Sequence, residues 1–155
     1  MVLVGSITAT VLSTYFSPLG LVGSAHDHVD FKLYLDGQAV DFSQAKCQAR
    51  HSNVHVEGGD GDVIHIHSAH VTMGGFFETL GIQFNGTCLV MDAGEAYCSG
   101  EGKTLKFYVN ERPNGEFDRY VLRHLDRILV SYGDESEADL QQQLASVTRK
   151  AAAQG

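Results

Sequence analysis

The chain has 155 residues, 43% hydrophobic and 19% charged, enough to bury one core, which excludes both a disordered polymer and a multidomain enzyme. Eleven Lys and Arg against nineteen Asp and Glu leave a net charge of −8; this repels phosphate backbones, excludes nucleic acid as the main partner and favours cations. Eight His beside so few Lys and Arg is the feature in which function is sought.

From Met1 to Ala25 there is no charged side chain, and Val2 to Val22 is rich in Val, Leu, Ile, Phe, Thr and Ser. Such a segment is directed to a membrane. Gly23-Ser24-Ala25 supplies the small residues of a signal-peptide cleavage site before His26, although a basic n-region is missing. Alternatively, the apolar run of about twenty residues is long enough to remain as an uncleaved anchor. Either way the rest of the chain is expected to be extracytoplasmic, secreted or membrane-anchored by residues 1–22. The expected organisation is 1–25 as signal peptide or membrane anchor, 26–133 as a His-rich domain, and 134–155 as an amphipathic helix and tail.

Period-two alternation begins after Ala25. Val29, Phe31, Leu33 and Leu35 alternate with His28, Asp30, Lys32 and Tyr34, predicting a half-buried strand that turns at Asp36-Gly37. A second hairpin follows, with Val54 and Val56 on one arm, Gly58-Gly59-Asp60-Gly61 at the tip, and Val63 to His67 on the other. Thr72 is placed to cap a short helix through Phe76, Phe77 and Leu80, which Gly81 ends in the left-handed conformation. Cys88 and Cys98 bracket a further hairpin around Asp92-Ala93-Gly94 and are expected to form a disulfide, leaving Cys47 over. Asn85-Gly86-Thr87 is a glycosylation acceptor at Asn85, set in a loop.

Leu105, Phe107 and Val109 predict another strand, Asn110 to Gly115 a loop, and Tyr120 to Leu122 and Ile128 to Tyr132 further extended runs. A helix closes the chain: Ser136 with Asp139 resembles a capping box, and Leu140, Leu144 and Val147 form a narrow apolar stripe, expected to pack back on the domain. The final Ala-Ala-Ala-Gln-Gly is expected to be disordered.

Three of these segments carry a resemblance. Gly74-Gly75-Phe76-Phe77-Glu78-Thr79-Leu80-Gly81-Ile82, then Leu105 to Asn110, then Tyr120-Val121-Leu122 through Asp126-Arg127-Ile128 to Gly133, together resemble a β-grasp domain of the transcobalamin C-terminal type. The resemblance implies an α+β fold, a β-grasp-like mixed sheet crossed by one helix, whose last segments form a hairpin. The N-terminal hydrophobic segment and C-terminal helix are additions to it. The span from His26 to Gly133 is also similar to small exported His-rich proteins of ammonia-oxidising archaea and some bacteria, in which a His-x-His and a hairpin like Val54 to His67 recur. Proteins of that kind often bear a protein-disulfide isomerase label, but no Cys-x-x-Cys occurs here to support it. Cobalamin binding is not carried over, because the matched residues are structural.

Seven of the eight His lie between positions 26 and 70, and strand parity says how they are grouped. With Val54, Val56, Ile64 and Ile66 on one face, His55, Glu57, His65 and His67 must share the other. A loop from Gly58 to Asp62 sets His55 opposite His65, with Cβ atoms about 4.5–5.5 Å apart, close enough for two imidazoles to share one ion. His26, His28 and Asp30 make a similar row on the first strand, and His51 and His70 flank the hairpin. Imidazole with carboxylate suits copper or zinc. Cleavage after Ala25 would also expose an amino-terminal His26 chelate, resembling the histidine brace of copper oxygenases. Calcium at Gly58 to Asp62 is a rival reading, though the acids lack EF-hand spacing. So is an ordinary solvated or pH-sensitive His patch, or a protein interface. His124 reads as structural.

The leading expectation is an exported or membrane-anchored domain that binds copper or zinc through His55, His65, His67 and Glu57, with His26, His28, His51 and His70 as further candidates. The alternative is an accessory subunit of an extracytoplasmic membrane complex. No nucleophilic triad, phosphate-binding loop or dinucleotide fingerprint is present, so no enzymatic activity is inferred.

Overall fold

A computed structural model describes residues 20–154. Most of the expected signal or anchor, residues 1–19, lies outside the described residues. Among the described residues no helix is long and apolar enough to cross a membrane. The expected boundary at Ala25 falls within a tied-down segment: Gly20 and Gly23 donate their N–H groups to the carbonyls of Ala69 and His67, and Ser24 Oγ accepts the N–H of Ala69.

Among the described residues the architecture is α+β, mostly strands with two helices. In chain order these are β1 (Asp27–Leu35), β2 (Gln38–Ala39), β3 (Val54–His55), β4 (Val63–Ile66), α1 (Met73–Thr79), β5 (Gln83–Phe84), β6 (Cys88–Val90), β7 (Ala96–Cys98), β8 (Thr104–Val109), β9 (Arg112–Pro113), β10 (Arg127–Gly133) and α2 (Glu137–Ser146). The main sheet runs β3-β4-β1-β10-β8-β9, with β2 also paired to β1; β5, β6 and β7 form a separate small sheet. β1 and β10 are parallel, with Phe31 beside Ile128 and Leu33 beside Val130, and β4 and β8 flank them antiparallel.

Local chemistry explains the turns. Asp36 and Gly37 both take positive φ, the two-residue turn expected between β1 and β2. Thr72 Oγ1 accepts the N–H of Gly75 at the start of α1, and Gly81 ends it at φ +76°. In the β3–β4 loop a Cβ on Gly61 would lie 2.4 Å from the amide nitrogen of Ser43, so only glycine lets the loop close against that segment.

One face of the sheet builds the core. Val29, Phe31, Leu33, Ile128 and Val130 pack with Val54, Val56, Ile64 and Ile66 against Phe76 and Phe77 of α1. On the opposite face, Leu140 and Leu144 of α2, with Val147, cover Leu129 between Tyr34 and Tyr108, as the apolar stripe predicts. Ser136 caps α2 by accepting the N–H of Asp139.

Four expectations change. Tyr120 to Leu122 pairs with the segment around Thr72 through a single isolated bridge and makes no hairpin with β10, whose partners are β1 and β8. The Asn110–Gly115 loop contains β9, reached through Asn110 and Glu111 at positive φ. The C-terminal residues are not disordered through Gln154: Lys150–Ala153 forms a 3-10 turn with Ala151 buried. β1 is not half-buried at its start, where His28 and Asp30 are each 2% exposed, because that tail and neighbouring strands cover its second face. Asp30 faces the tail, and its carboxylate accepts the Thr148 hydroxyl and the N–H groups of Lys150 and Ala151. This removes Asp30 from the metal-ligand row.

Candidate functional site

α2 and the closing turn cover one end of the second sheet face, and histidines line the other end. β3 and β4 pair with His55 opposite His65, and β4 and β1 pair with His28 opposite His65, so three imidazoles form one row across three strands. His67 follows β4 and His26 precedes β1, and the bond from the Gly23 N–H to the His67 carbonyl holds those two ends together.

The five rings close a circuit. Ring centres are 4.9 Å apart for His26 and His28, 4.8 Å for His28 and His65, 6.1 Å for His65 and His55, 5.0 Å for His55 and His67, and 5.6 Å for His67 and His26. Two imidazoles on one four-coordinate ion, with metal–nitrogen distances of about 2.0–2.1 Å, place their centres about 5 Å apart. Three of the five separations match that closely.

Glu57 clamps the outer edge of the circuit. Its Oε2 is 3.2 Å from His55 Nε2 and its Oε1 is 3.5 Å from His65 Nδ1. A nitrogen and an oxygen bound tetrahedrally to one ion lie about 3.4 Å apart. His55 Nδ1 donates to the His51 carbonyl at 2.7 Å, the outer bond that orients a metal-binding imidazole and leaves Nε2 to face the carboxylate. The rings of His55 and His65 stack almost parallel, however, and among the described residues no three His, Cys, Asp or Glu side chains stand as a formed ligand set. Shared coordination therefore requires these rings to turn toward each other.

Burial and charge crowding act on the cluster together. Burial lowers the pKa of His28, helped by the neighbouring charges of His26, His124 and His67. Burial also lowers His65, against the opposing pull of Glu57, and lowers His67 with the help of His55 and His26. Burial pushes Glu57 up, but its hydrogen bond to His55 and the charges of His65 and His55 outweigh that and hold it low. For His28, His65 and His67 this favours the neutral imidazole, and for Glu57 the ionised carboxylate, the protonation states a metal ion requires.

The remaining candidates divide. His51 contributes its carbonyl, while its ring Nδ1 accepts the N–H of Asn53; His70 is exposed in a turn at φ +65°. Strand parity ends with β4, and neither ring joins the circuit. His28 and His65, expected on an outer face, are 2% and 6% exposed, because neighbouring strands and rings enclose them. His28 Nδ1 is buried without a hydrogen-bond partner. His124, expected to be structural, lies 6.2 Å from His28 and accepts the His28 backbone N–H at Nδ1. It comes from the turn before β10, shaped by Asp126, which accepts from Tyr120 and the Arg123 N–H, and no sequence period reaches it.

Cys88 and Cys98 face each other across β6 and β7 and form the expected disulfide, with Cys47 buried and free. Asn85 is exposed in a loop, where its Oδ1 accepts the N–H groups of Thr87 and Cys88. Comparisons with protein-family models, curated proteins and solved structures find no match to this chain.

Proposed function

We propose that this chain is an exported or membrane-anchored metal-binding domain that takes copper or zinc at the outer edge of its histidine circuit. The observation that carries the reading is Glu57, whose two oxygens face one nitrogen each of His55 and His65 at the spacing of ligands around a single ion. His67, 5.0 Å from His55, stands beside them to complete the set. An imidazole and carboxylate set without thiolate suits Cu(II) and Zn(II). The buried, unpartnered Nδ1 of His28 points the same way, since an unsatisfied nitrogen in a polar cluster is a position a cation can occupy.

The Cys88–Cys98 bridge supports an oxidising, extracytoplasmic location. A β-grasp relationship is part of the same reading. It is supported by the order β4-β1-β10-β8, the parallel central pair, and α1 connecting β4 toward β8 across one face. Service as an accessory subunit of a membrane complex draws no support from α2, whose apolar stripe is covered by Leu129 of its own sheet.

Titration of the chelator-treated full chain with Cu(II) and with Zn(II) tests the proposal. Saturable binding is expected, and it should be lost in the His55→Ala, His65→Ala, His67→Ala triple variant. Unchanged affinity in that variant would end the assignment.

A further inference from the structure

We propose that the circuit holds two ions rather than one: an outer ion on His55, His65 and Glu57, and an inner ion on His26, His28 and His67, which passes from the outer set to the inner one when both ions are bound. This rests on the metal-binding reading above and extends it to a dinuclear site. The first argument is ligand number. Copper and zinc take four or five ligands, of which the protein commonly supplies three when a position is left open. Five imidazoles and one carboxylate supply three ligands to each of two ions, whereas one ion would leave at least one of them unused.

Ring spacing links the members of the inner group but does not set them apart from the outer one; the Glu57 clamp and the buried His28 nitrogen do that. The inner three are linked by a ring separation of 4.9 Å between His26 and His28, at the co-ligand distance of about 5 Å, and by a wider one of 5.6 Å between His26 and His67. The His28 Nδ1 is the one ring nitrogen of the circuit that is fully buried with no partner, and it belongs to this inner group rather than to the group clamped by Glu57. The 4.8 Å contact between His28 and His65 and the 5.0 Å contact between His67 and His55 join the halves. Ions held on the two groups would therefore be neighbours within one cluster.

The backbone also fastens the inner group together. The Gly23 N–H bonds the His67 carbonyl, and Ser24 Oγ accepts the Ala69 N–H, so the segment leading into His26 is fastened to the segment carrying His67. His28 is fixed in the row by pairing between β1 and β4. His124 is excluded as an inner ligand by its own bond: its Nδ1 accepts the His28 N–H, so binding through Nε2 would require a ring with no proton on either nitrogen.

Native mass spectrometry and calorimetric titration of the full chain with Cu(II), and separately with Zn(II), read the stoichiometry. Two equivalents are expected, falling to one in His26→Gln, whose side chain is exposed and whose loss leaves the core intact. His55→Gln should likewise fall to one. With two Cu(II) bound, paramagnetic resonance should show a broadened or diminished signal from coupled spins, and the one-equivalent variants should show an ordinary isolated signal. Saturation of the wild type at one equivalent, or two equivalents persisting in His26→Gln, would overturn the dinuclear assignment while leaving the single outer site standing. Uptake without saturation would also overturn it. Absence of any binding would instead remove the metal-binding reading itself.

Discussion

The carboxylate of Asp30, in the first strand of the sheet, accepts the backbone N–H of Ala151 in the closing turn at 3.1 Å. The Lys150 N–H and the Thr148 hydroxyl reach the same side chain, so a nearly sealed carboxylate is satisfied wholly by the C-terminal segment. Backbone N–H groups at the start of a helical turn are good partners for a negative charge, which is why this turn forms where it does.

Asp30→Ala should therefore release residues 148–153 from the sheet. Three donors lose a charged acceptor, and the expected loss of stability is about 3 kcal/mol. Urea unfolding measures it, and amide exchange should show Lys150 and Ala151 losing protection before any strand does. Equal stability of the two proteins would contradict this account.

Acid should destabilise the metal-free protein through its histidines before its carboxylates. His28, His65 and His67 all have folded pKa values below the ordinary 6.5, so the unfolded chain binds protons more readily than the folded one beneath that pH. The stability they confer is complete above pH 6.5 and declines as pH falls from 6.5 toward their folded values. Glu57, held below 4.5, adds its own loss only at lower pH. Urea unfolding with chelator present should show a drop in stability as pH falls below 6.5. His65→Gln should flatten that drop; a profile already level in the wild type would refute it.

Opening the disulfide should act locally. Cys88 and Cys98 are ten residues apart and close the small sheet, while the main sheet is built from other strands. Replacing both by Ser is expected to cost about 2 to 3 kcal/mol, the range for a loop of this length. Metal uptake should be unchanged, since none of the circuit histidines lies on β6 or β7. In the wild type only Cys47 should react with a thiol reagent, and slowly, because burial raises its pKa.

Much of this was legible locally. A two-residue turn at Asp36-Gly37, a threonine cap before α1, and aliphatic alternation on either side of Gly58 to Asp62 are properties of short stretches. They set the pairing of His55 with His65 and of Cys88 with Cys98 because side-chain period and turn length leave one register that buries the aliphatic face. The capped stripe of α2 was readable in the same way.

What the chain by itself determined, then, was each ribbon and the face each residue takes upon it. Tertiary structure alone decided that β1 lies between β4 and β10, which carries His28 beside His65, encloses both, and brings His124 and the C-terminal turn to the same surface. The reason is physical: turn geometry and alternation act over a few neighbouring residues, whereas strand order depends on how all the apolar faces are buried together. A histidine in an irregular turn, or an aspartate awaiting a partner 121 residues away, leaves no periodic trace from which that placement can be read.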